Sequence, residues 1–380
     1  LSIARNNIAF YNILSRGLAI NVGLAIAFFY FIPYFGITPK TNLFLNLTIF
    51  AVLFSGWRNL YNYLIKSSTL LNNVLIIGQN KEIDQLNKII KNNPQLGYRI
   101  LKIVSPQEIK TPFDLLEMAT QKNIDTIVTA INPHQDVRLV QSLYQCLPLK
   151  ISFSDLPSFY EKILGKVPIS SIGEIWFLEN LTESQKNFYE AIKRVLDMLG
   201  GFIFGIISLI FYPFIALIIK IDSQGPIFFS QRRIGQDGQI FKVLKFRSMI
   251  EDAEKNGAQW ADQQDHRITR IGKFLRKTRL DELPQMWNIF TGQMSFIGPR
   301  PERIEFVQQL EKEIPYYQIR HIVKPGLTGW AQVNFRYGAS VQDSIEKLQY
   351  ELYYIKHRSF ILDTSILLRT IKIVLMGGGR

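Results

Sequence analysis

Apolar residues are spaced along this chain in three ways, and each predicts a different kind of element. From Leu18 to Phe35, eighteen residues run with only Asn21 strongly polar, about the length that crosses a hydrocarbon core of roughly 30 Å. After a loop over 36–42, a second run from Leu43 to Trp57 extends through Leu60 to Ile65. Residues 1–66 are therefore expected to form a transmembrane helical hairpin. Arg5 and Arg16 precede it, Arg58 and Lys66 follow it, and the connecting loop holds only Lys40, a bias that puts both flanks in the cytoplasm. A buried soluble hairpin is the competing reading, but a core helix rarely stays apolar for so long.

Residues 67–155 alternate short β-rich runs with helical spacing, the pattern of a parallel α/β unit. Strands are expected at Val74–Ile77, Arg99–Val104, Thr126–Thr129 and Lys150–Phe153. Helix faces are expected at Ile83, Leu86, Ile89 and Ile90, and again at Val137, Val140 and Leu143. The first turn, Gly78-Gln79-Asn80, has one glycine where a dinucleotide fingerprint needs three, so a nicotinamide site has little support. Residues 156–187, with Pro157, Pro168, Gly165 and Gly173, read as a linker with short elements.

The third pattern is the apolar stretch 196–221, with Lys193-Arg194 before it, Lys220 at its end and Pro213 inside. Proline lacks an N–H and crowds the carbonyl four residues back, at Leu209, so the helix is expected to bend or break near Tyr212-Pro213. A re-entrant hairpin and a kinked spanning helix both fit the stretch taken alone. Beyond it, Ile227–Ile234 and Gln239–Phe246 flank Gln236-Asp237-Gly238, a hairpin with an Asp-Gly turn. Next comes a helical stretch with Ile268, Ile271, Phe274 and Leu275 on one face and Arg267, Arg270, Lys273, Arg276, Lys277 and Arg279 on the others.

That cationic stretch runs straight into Asp281-Glu282. Nearby cations lower a carboxylate's pKa, and an ionised aspartate beside phosphate-binding cations can hold Mg²⁺ or attack phosphorus. Lys245 and Arg247 at the hairpin's end and Arg276 add positive charge. In Gly298-Pro299-Arg300-Pro301 two prolines fix the backbone around one guanidinium, whose planar fork suits a phosphate or a base edge. Residues 324–333 read as a turn-rich, aromatic site wall. Ile361–Met376, broken by Arg369 and Lys372, reads as a helix lying in the lipid interface.

Composition narrows the partners. Of 380 residues, 44 are Lys or Arg and 31 Asp or Glu, a net charge of +13, while 47% are apolar. Basic and apolar together point to anionic lipid or phosphorylated substrates. Nucleic acid is the competing reading of the charge; with neither zinc-finger spacing nor a basic heptad array, no nucleic-acid partner is expected. The single Cys146 rules out an internal disulfide, reads as a buried thiol and suits a reducing compartment. The four histidines are scattered without metal-ligand spacing.

Lys245-Phe246-Arg247-Ser248-Met249, Leu275-Arg276, Leu280-Asp281-Glu282-Leu283-Pro284-Gln285, Gly298-Pro299-Arg300-Pro301 and Gly326-Leu327-Thr328-Gly329-Trp330 occur in this order. Together they resemble the bacterial sugar transferases, monotopic phosphoglycosyl transferases, and specifically the large polyprenyl glycosylphosphotransferases of exopolysaccharide and O-antigen synthesis. The resemblance covers Lys193 to about Gly378. It implies an α/β membrane protein: N-terminal transmembrane helices, a small parallel α/β (Rossmann-like, CoA-binding-like) domain, and a C-terminal monotopic α/β transferase domain over 188–380 with a re-entrant membrane helix. Larger members carry four N-terminal spans and two are visible here; with Leu1 in first place, the chain is expected to be a fragment.

In such enzymes the aspartate matching Asp281 attacks the β-phosphate of a UDP-sugar, releases UMP and carries a phosphosugar that polyprenyl (undecaprenyl) phosphate then collects. Glu282 matches the second member of the catalytic pair, and Mg²⁺ is expected at Asp281. Lys245, Arg247, Arg276 and Arg300 match the basic positions around phosphates and nucleotide, with Arg300 on the nucleotide side. Pro213 matches the proline that breaks the re-entrant helix. A hairpin there keeps the middle and catalytic domains together at the cytoplasmic face of a bacterial inner membrane, where nucleotide sugars are made, and is therefore preferred over a full span. A homo-oligomer is compatible with the sequence, which fixes neither stoichiometry nor the sugar. Three other classes are weighed. A non-catalytic scaffold is opposed by the intact Asp281-Glu282. A conventional glycosyltransferase is opposed by the lack of an Asp-x-Asp motif. A nucleotide-sugar oxidoreductase or epimerase is opposed by the missing glycine fingerprint.

Overall fold

The structure is a computed structural model that describes residues 8–31, 40–66, 71–109, 111–130, 136–181, 186–251, 253, 265–335 and 340–375. The chain forms two compact units, 1–163 and 164–380. The first opens with helices α1 (Ile8–Phe31) and α2 (Lys40–Lys66). The sequence expects its first span over Leu18–Phe35; the helix starts ten residues earlier, and 32–35 lie outside the described residues. The second expected span is one continuous helix through Arg58. Among the described residues no single helix is long and apolar enough to cross a membrane.

An α/β layer follows: β1 (Asn72–Ile77), α3 (Lys81–Asn92), β2 (Tyr98–Val104), α4 (Pro112–Gln121), β3 (Thr126–Thr129), α5 (Val137–Gln145), β4 (Ser152–Asp155) and α6 (Leu156–Leu164). All strands pair in parallel, in the order β2-β1-β3-β4. Val74 to Ile77 of β1 are buried without alternation, as a parallel strand covered on both faces requires. Asn80 caps α3 by accepting the Ile83 N–H at 2.9 Å. Gly78 has φ +126°, and a Cβ there would stand 2.7 Å from the Cβ of Ala130. The lone glycine thus serves a close approach between the turns after β1 and β3.

Two expectations change. The fourth strand starts at Ser152, because Leu147–Leu149 form a 3₁₀ turn that Lys150 closes in the left-handed region. On α5 the inward face is Leu139 and Ser142, while Val137 and Val140 are 71% and 44% exposed. Ser142 is tolerated there because its hydroxyl donates to the Arg138 carbonyl at 2.8 Å. Cys146 is buried at the end of α5, as expected. Within residues 156–187, α6 packs on the first unit through Tyr160, whose hydroxyl donates to Gln85.

The second unit holds α7 (Glu174–Asn180), α8 (Asn187–Leu209), α9 (Tyr212–Asp222), β5 (Phe228–Ile234), β6 (Ile240–Phe246), α10 (Arg270–Thr278), α11 (Gln285–Phe290), β7 (Ser295–Ile297), α12 (Ile304–Glu313), β8 (Gly326–Thr328), α13 (Trp330–Asn334), α14 (Val341–His357) and α15 (Phe360–Leu375). α8 and α9 meet at 58°, and only as a bent pair are they long and apolar enough to cross a membrane. The break falls at Ile210-Phe211, just before the expected dipeptide. Pro213 sits in the first turn of α9, where its missing N–H costs no helix bond. Leu199, Phe202, Ile206, Ile210, Phe214 and Leu217 are exposed along this pair, an apolar surface beyond what a soluble monomer shows.

Gly201 lets α8 lie directly on α11: a Cβ there would stand 3.0 Å from the Phe290 nitrogen. The Arg194 guanidinium donates to the Ile289 and Phe290 carbonyls at 2.9 and 2.8 Å, satisfying the last carbonyls of α11. β5 and β6 pair antiparallel, and their turn has φ +53° at Asp237 and +75° at Gly238, the geometry that favours Asp-Gly in a hairpin. On α10, Ile271 and Leu275 face inward, but Phe274 points out. Residues 324–333 are not an irregular wall: β8 pairs with β7 and α13 follows. The regularity depends on Gly298, Gly326 and Gly329, where any Cβ would collide with backbone.

Candidate active site

The site is built at the junction of α10 and α11. Arg279 ends α10 with φ +61°, a left-handed residue that turns the chain sharply into the 3₁₀ turn Leu280–Glu282. Leu280 and Leu283 pack beside Leu275 and Phe246, so the intervening pair is carried inward. Asp281 and Glu282 are each only 6% exposed. Two buried carboxylates in sequence would be costly without compensation, and the compensation falls almost wholly on one of them.

Glu282 Oε1 accepts from Arg300 at 2.7 Å and from Lys245 at 3.1 Å, and Arg279 stands 3.6 Å from its Oε2. Arg300 above all, with Lys245 and Arg279, outweighs burial and holds Glu282 well below the usual carboxylate range. Asp281 is opposite in character. Burial, then the charge of Glu282, push its carboxyl up against the pull of Lys245, Arg276 and Arg300, and its Oδ1 is buried with no hydrogen-bond partner. Burial lowers the pKa of Lys245, whereas Glu282 raises that of Arg300.

Each cation has its own support. Lys245 lies on β6, which Asn288 of α11 ties down: the Leu244 N–H donates to Asn288 Oδ1 at 3.1 Å, and Asn288 Nδ2 donates to the Lys242 carbonyl at 2.8 Å. Arg300 follows β7 between Pro299 and Pro301. Arg276 Nε donates to Ser248 Oγ at 2.9 Å. Arg247, grouped with these residues by the sequence, is placed differently. Its NH2 donates to the carbonyl and hydroxyl of Ser223 at the end of α9 at 2.8 and 3.0 Å, and its Nε and NH1 are buried without partners.

Lys245, Arg276 and Arg300 thus gather at the carboxylate pair. Arg279, read in the sequence only as part of a cationic run, joins them; its position directly before Leu280-Asp281-Glu282 is the signal. From the sequence, Gln285 has no role beyond its place in the motif over 280–285, and Asn288 has none. Gln285 is 2% exposed with an unpartnered Nε2, and its place four residues after Asp281, at the start of a helix, marks it. The unbonded Asp281 Oδ1 is the kind of hard oxygen that Mg²⁺ takes. Among the described residues no three carboxylate, histidine or cysteine side chains form a cage.

The bacterial sugar transferase family model matches residues 188–377, the stretch that contains every residue of this site. The chain is 42% identical over 241 residues to the UDP-N-acetylgalactosamine-undecaprenyl-phosphate N-acetylgalactosaminephosphotransferase of Aeromonas hydrophila, covering 62% of this chain and 55% of that one. It is 31% identical to the UDP-glucose:undecaprenyl-phosphate glucose-1-phosphate transferase of Xanthomonas campestris pv. campestris, over 82% of this chain and 68% of the relative. It is 34% identical to the UDP-galactose-lipid carrier transferase of Erwinia amylovora, over 80% and 68%. The match spans little more than half of the first relative and about two thirds of the other two. With the ordered motifs, the matching family model and these relatives in agreement, the chain belongs to the bacterial sugar transferase family.

Proposed function

We propose that this protein transfers a sugar-1-phosphate from a UDP-sugar to polyprenyl (undecaprenyl) phosphate at the cytoplasmic face of a bacterial inner membrane, as the first step of a polysaccharide repeat unit. The observation that carries this reading is the unequal pair: Glu282 bound to three cations and Asp281 with a buried, unbonded oxygen. Phosphoryl transfer needs positioned cations and a nucleophile more than covalent machinery. An Asp281 oxygen attacks the β-phosphorus of the donor. The bond from that phosphorus to the bridging oxygen breaks, and UMP leaves with the electron pair. An oxygen of the lipid phosphate then attacks the same phosphorus, and the bond to Asp281 breaks, restoring the carboxylate.

Lys245, Arg276 and Arg300 neutralise the donor phosphates, with Arg300 on the nucleotide side. Mg²⁺, held by Asp281 and substrate oxygens, would neutralise further charge as it develops. The bent, apolar α8–α9 pair supports a re-entrant membrane element, with α1 and α2 as the N-terminal anchor. A covalent intermediate lets a water-soluble donor and a lipid acceptor use one site in turn.

The test is intact-mass measurement after incubation with Mg²⁺ and UDP-glucose, UDP-galactose or UDP-N-acetylgalactosamine, without lipid. The expected result is a sugar-phosphate adduct and free UMP with at least one donor, both absent in Asp281→Asn. Lipid-linked product formed by protein that never carries an adduct would overturn the covalent route. No product with any donor in the presence of undecaprenyl phosphate would overturn the transferase reading.

A further inference from the structure

Beside the site lies a buried ion pair that touches neither carboxylate. Arg320, in the 3₁₀ turn Tyr317–His321, donates from Nε and NH2 to the two oxygens of Glu351, both at 2.8 Å. The two side chains are 1% and 2% exposed. A pair buried this deeply gains little net stability, because desolvation offsets most of the attraction and well-packed apolar residues serve as well. Apolar residues could not, however, make its third bond: Arg320 NH2 also donates to the Arg300 carbonyl at 2.8 Å.

The loop that receives this bond is short and restrained. Pro299 and Pro301 fix φ on either side of Arg300. Just beyond, the Glu302 carboxylate accepts from Arg233 at 3.3 Å and from Lys347 at 3.1 Å, and the Glu302 carbonyl accepts from the Ile234 N–H at 3.1 Å. Helix α14 supplies both Glu351 and Lys347 and so holds residues 300–302 at two points. The Arg300 guanidinium extends from this clamped backbone to Glu282 at 2.7 Å.

We propose that Arg320, oriented by Glu351, is a positioning residue: it fixes the backbone of Arg300 so that the guanidinium meets Glu282 and the anionic donor in one geometry. The Arg320 fork spans two acceptors at once, a carboxylate and a carbonyl, which a lysine ammonium does not reproduce. Misplacing a charged group by about 1 Å costs on the order of 100-fold in rate. The role rests on the transferase reading, and the experiment separates the two.

The full chain is assayed with undecaprenyl phosphate, Mg²⁺ and the three UDP-sugars, and UDP binding with Mg²⁺ is measured by calorimetry. Arg320→Lys and Glu351→Asp are each expected to lower kcat/KM by about 10- to 100-fold, with the same division between KM and kcat as Arg300→Lys. In an Arg300→Lys background, adding Arg320→Lys should change kcat/KM and UDP affinity by less than about twofold, because the two residues act through one contact. Equal losses in both backgrounds would overturn the proposal, as would an Arg320→Lys protein with wild-type kinetics. Should Arg320→Lys fail to fold, Glu351→Asp carries the same cycle. A wild-type chain that releases no UMP sinks the transferase reading alone, and the UDP-binding cycle still decides the positioning role.

Discussion

Asp281 and Glu282 are neighbours of similar chemistry in opposite situations. Glu282 faces three cations that hold it ionised near neutral pH, so the contribution expected of it is the field it exerts and the cations it holds, not a basic oxygen. Asp281 is raised by burial first and then by Glu282. An acid whose pKa is raised in the folded protein loses its ionised form as pH falls through that raised value, so with Asp281 as the proposed nucleophile the acid limb of the pH–rate profile is expected to report it, at a lower pH when Mg²⁺ occupies that carboxylate. Glu282→Gln removes a charge that raises Asp281 and frees cations that lower it, and both effects act in one direction. The acid limb should therefore move to lower pH in Glu282→Gln, read from kcat/KM for the UDP-sugar against pH. A limb that stays in place, or one that vanishes as expected on losing a general base, contradicts this assignment. The acidic pair and, through the resemblance, separate roles for its two members were legible from the sequence, but the unequal partnering of the two carboxylates was not. Lys245 and Arg247 are two apart on a strand pattern and were read as one group. β6 ends at Phe246, and the Arg247 side chain turns back to Ser223.

Among elements, the junction of β6 with α11 sets the position of Lys245 relative to the carboxylates. Asn288 is 1% exposed and satisfies the Leu244 N–H, the Lys242 carbonyl and Gln293 Oε1. Asn288→Ala takes the partner from the part-buried Leu244 N–H and from the Lys242 carbonyl, each worth about 1 kcal/mol or more. A loss of at least about 2 kcal/mol in unfolding free energy is expected, with a matching fall in denaturation midpoint and a weaker hold on Lys245. A midpoint within error of wild type would mean that water or a neighbour replaces the amide. The elements legible in the sequence are those whose cause is local: the Asp237-Gly238 hairpin needs two positive φ values, and the break before Pro213 follows from a missing N–H. The elements misread have a tertiary cause. α5 buries Leu139 and Ser142 rather than Val137 and Val140 because Leu139 joins the core cluster that holds Leu115, Ile127 and Cys146, and the Ser142 hydroxyl tolerates that burial by bonding within the helix. Residues 326–334 are regular only because bare glycine backbones at 298, 326 and 329 pack together.

At the scale of the molecule the α8–α9 pair decides topology. Its apolar side chains are exposed on most sides, basic residues stand at both ends, and the chain turns by 58° between the two helices. A single straight helix through these residues would carry the chain to the far side of a bilayer. The bend, together with Lys193-Arg194 at one end and Lys220 at the other, favours return to the side of entry. The two ends can be compared directly, because Cys146 is buried and the sequence holds no other cysteine to give background labelling. Phe188, near the start of α8, and Gln224, just after α9, are both exposed. In sealed inner-membrane vesicles or intact cells, Phe188→Cys and Gln224→Cys should react equally with a membrane-impermeant maleimide from the cytoplasmic side, and neither from the periplasmic side. Labelling of the two cysteines from opposite sides would make α8–α9 a kinked span. It would put the residues before α8 and those after α9 in different compartments, and a site built from Lys245 to Arg300 could then not share the cytoplasm with the N-terminal unit.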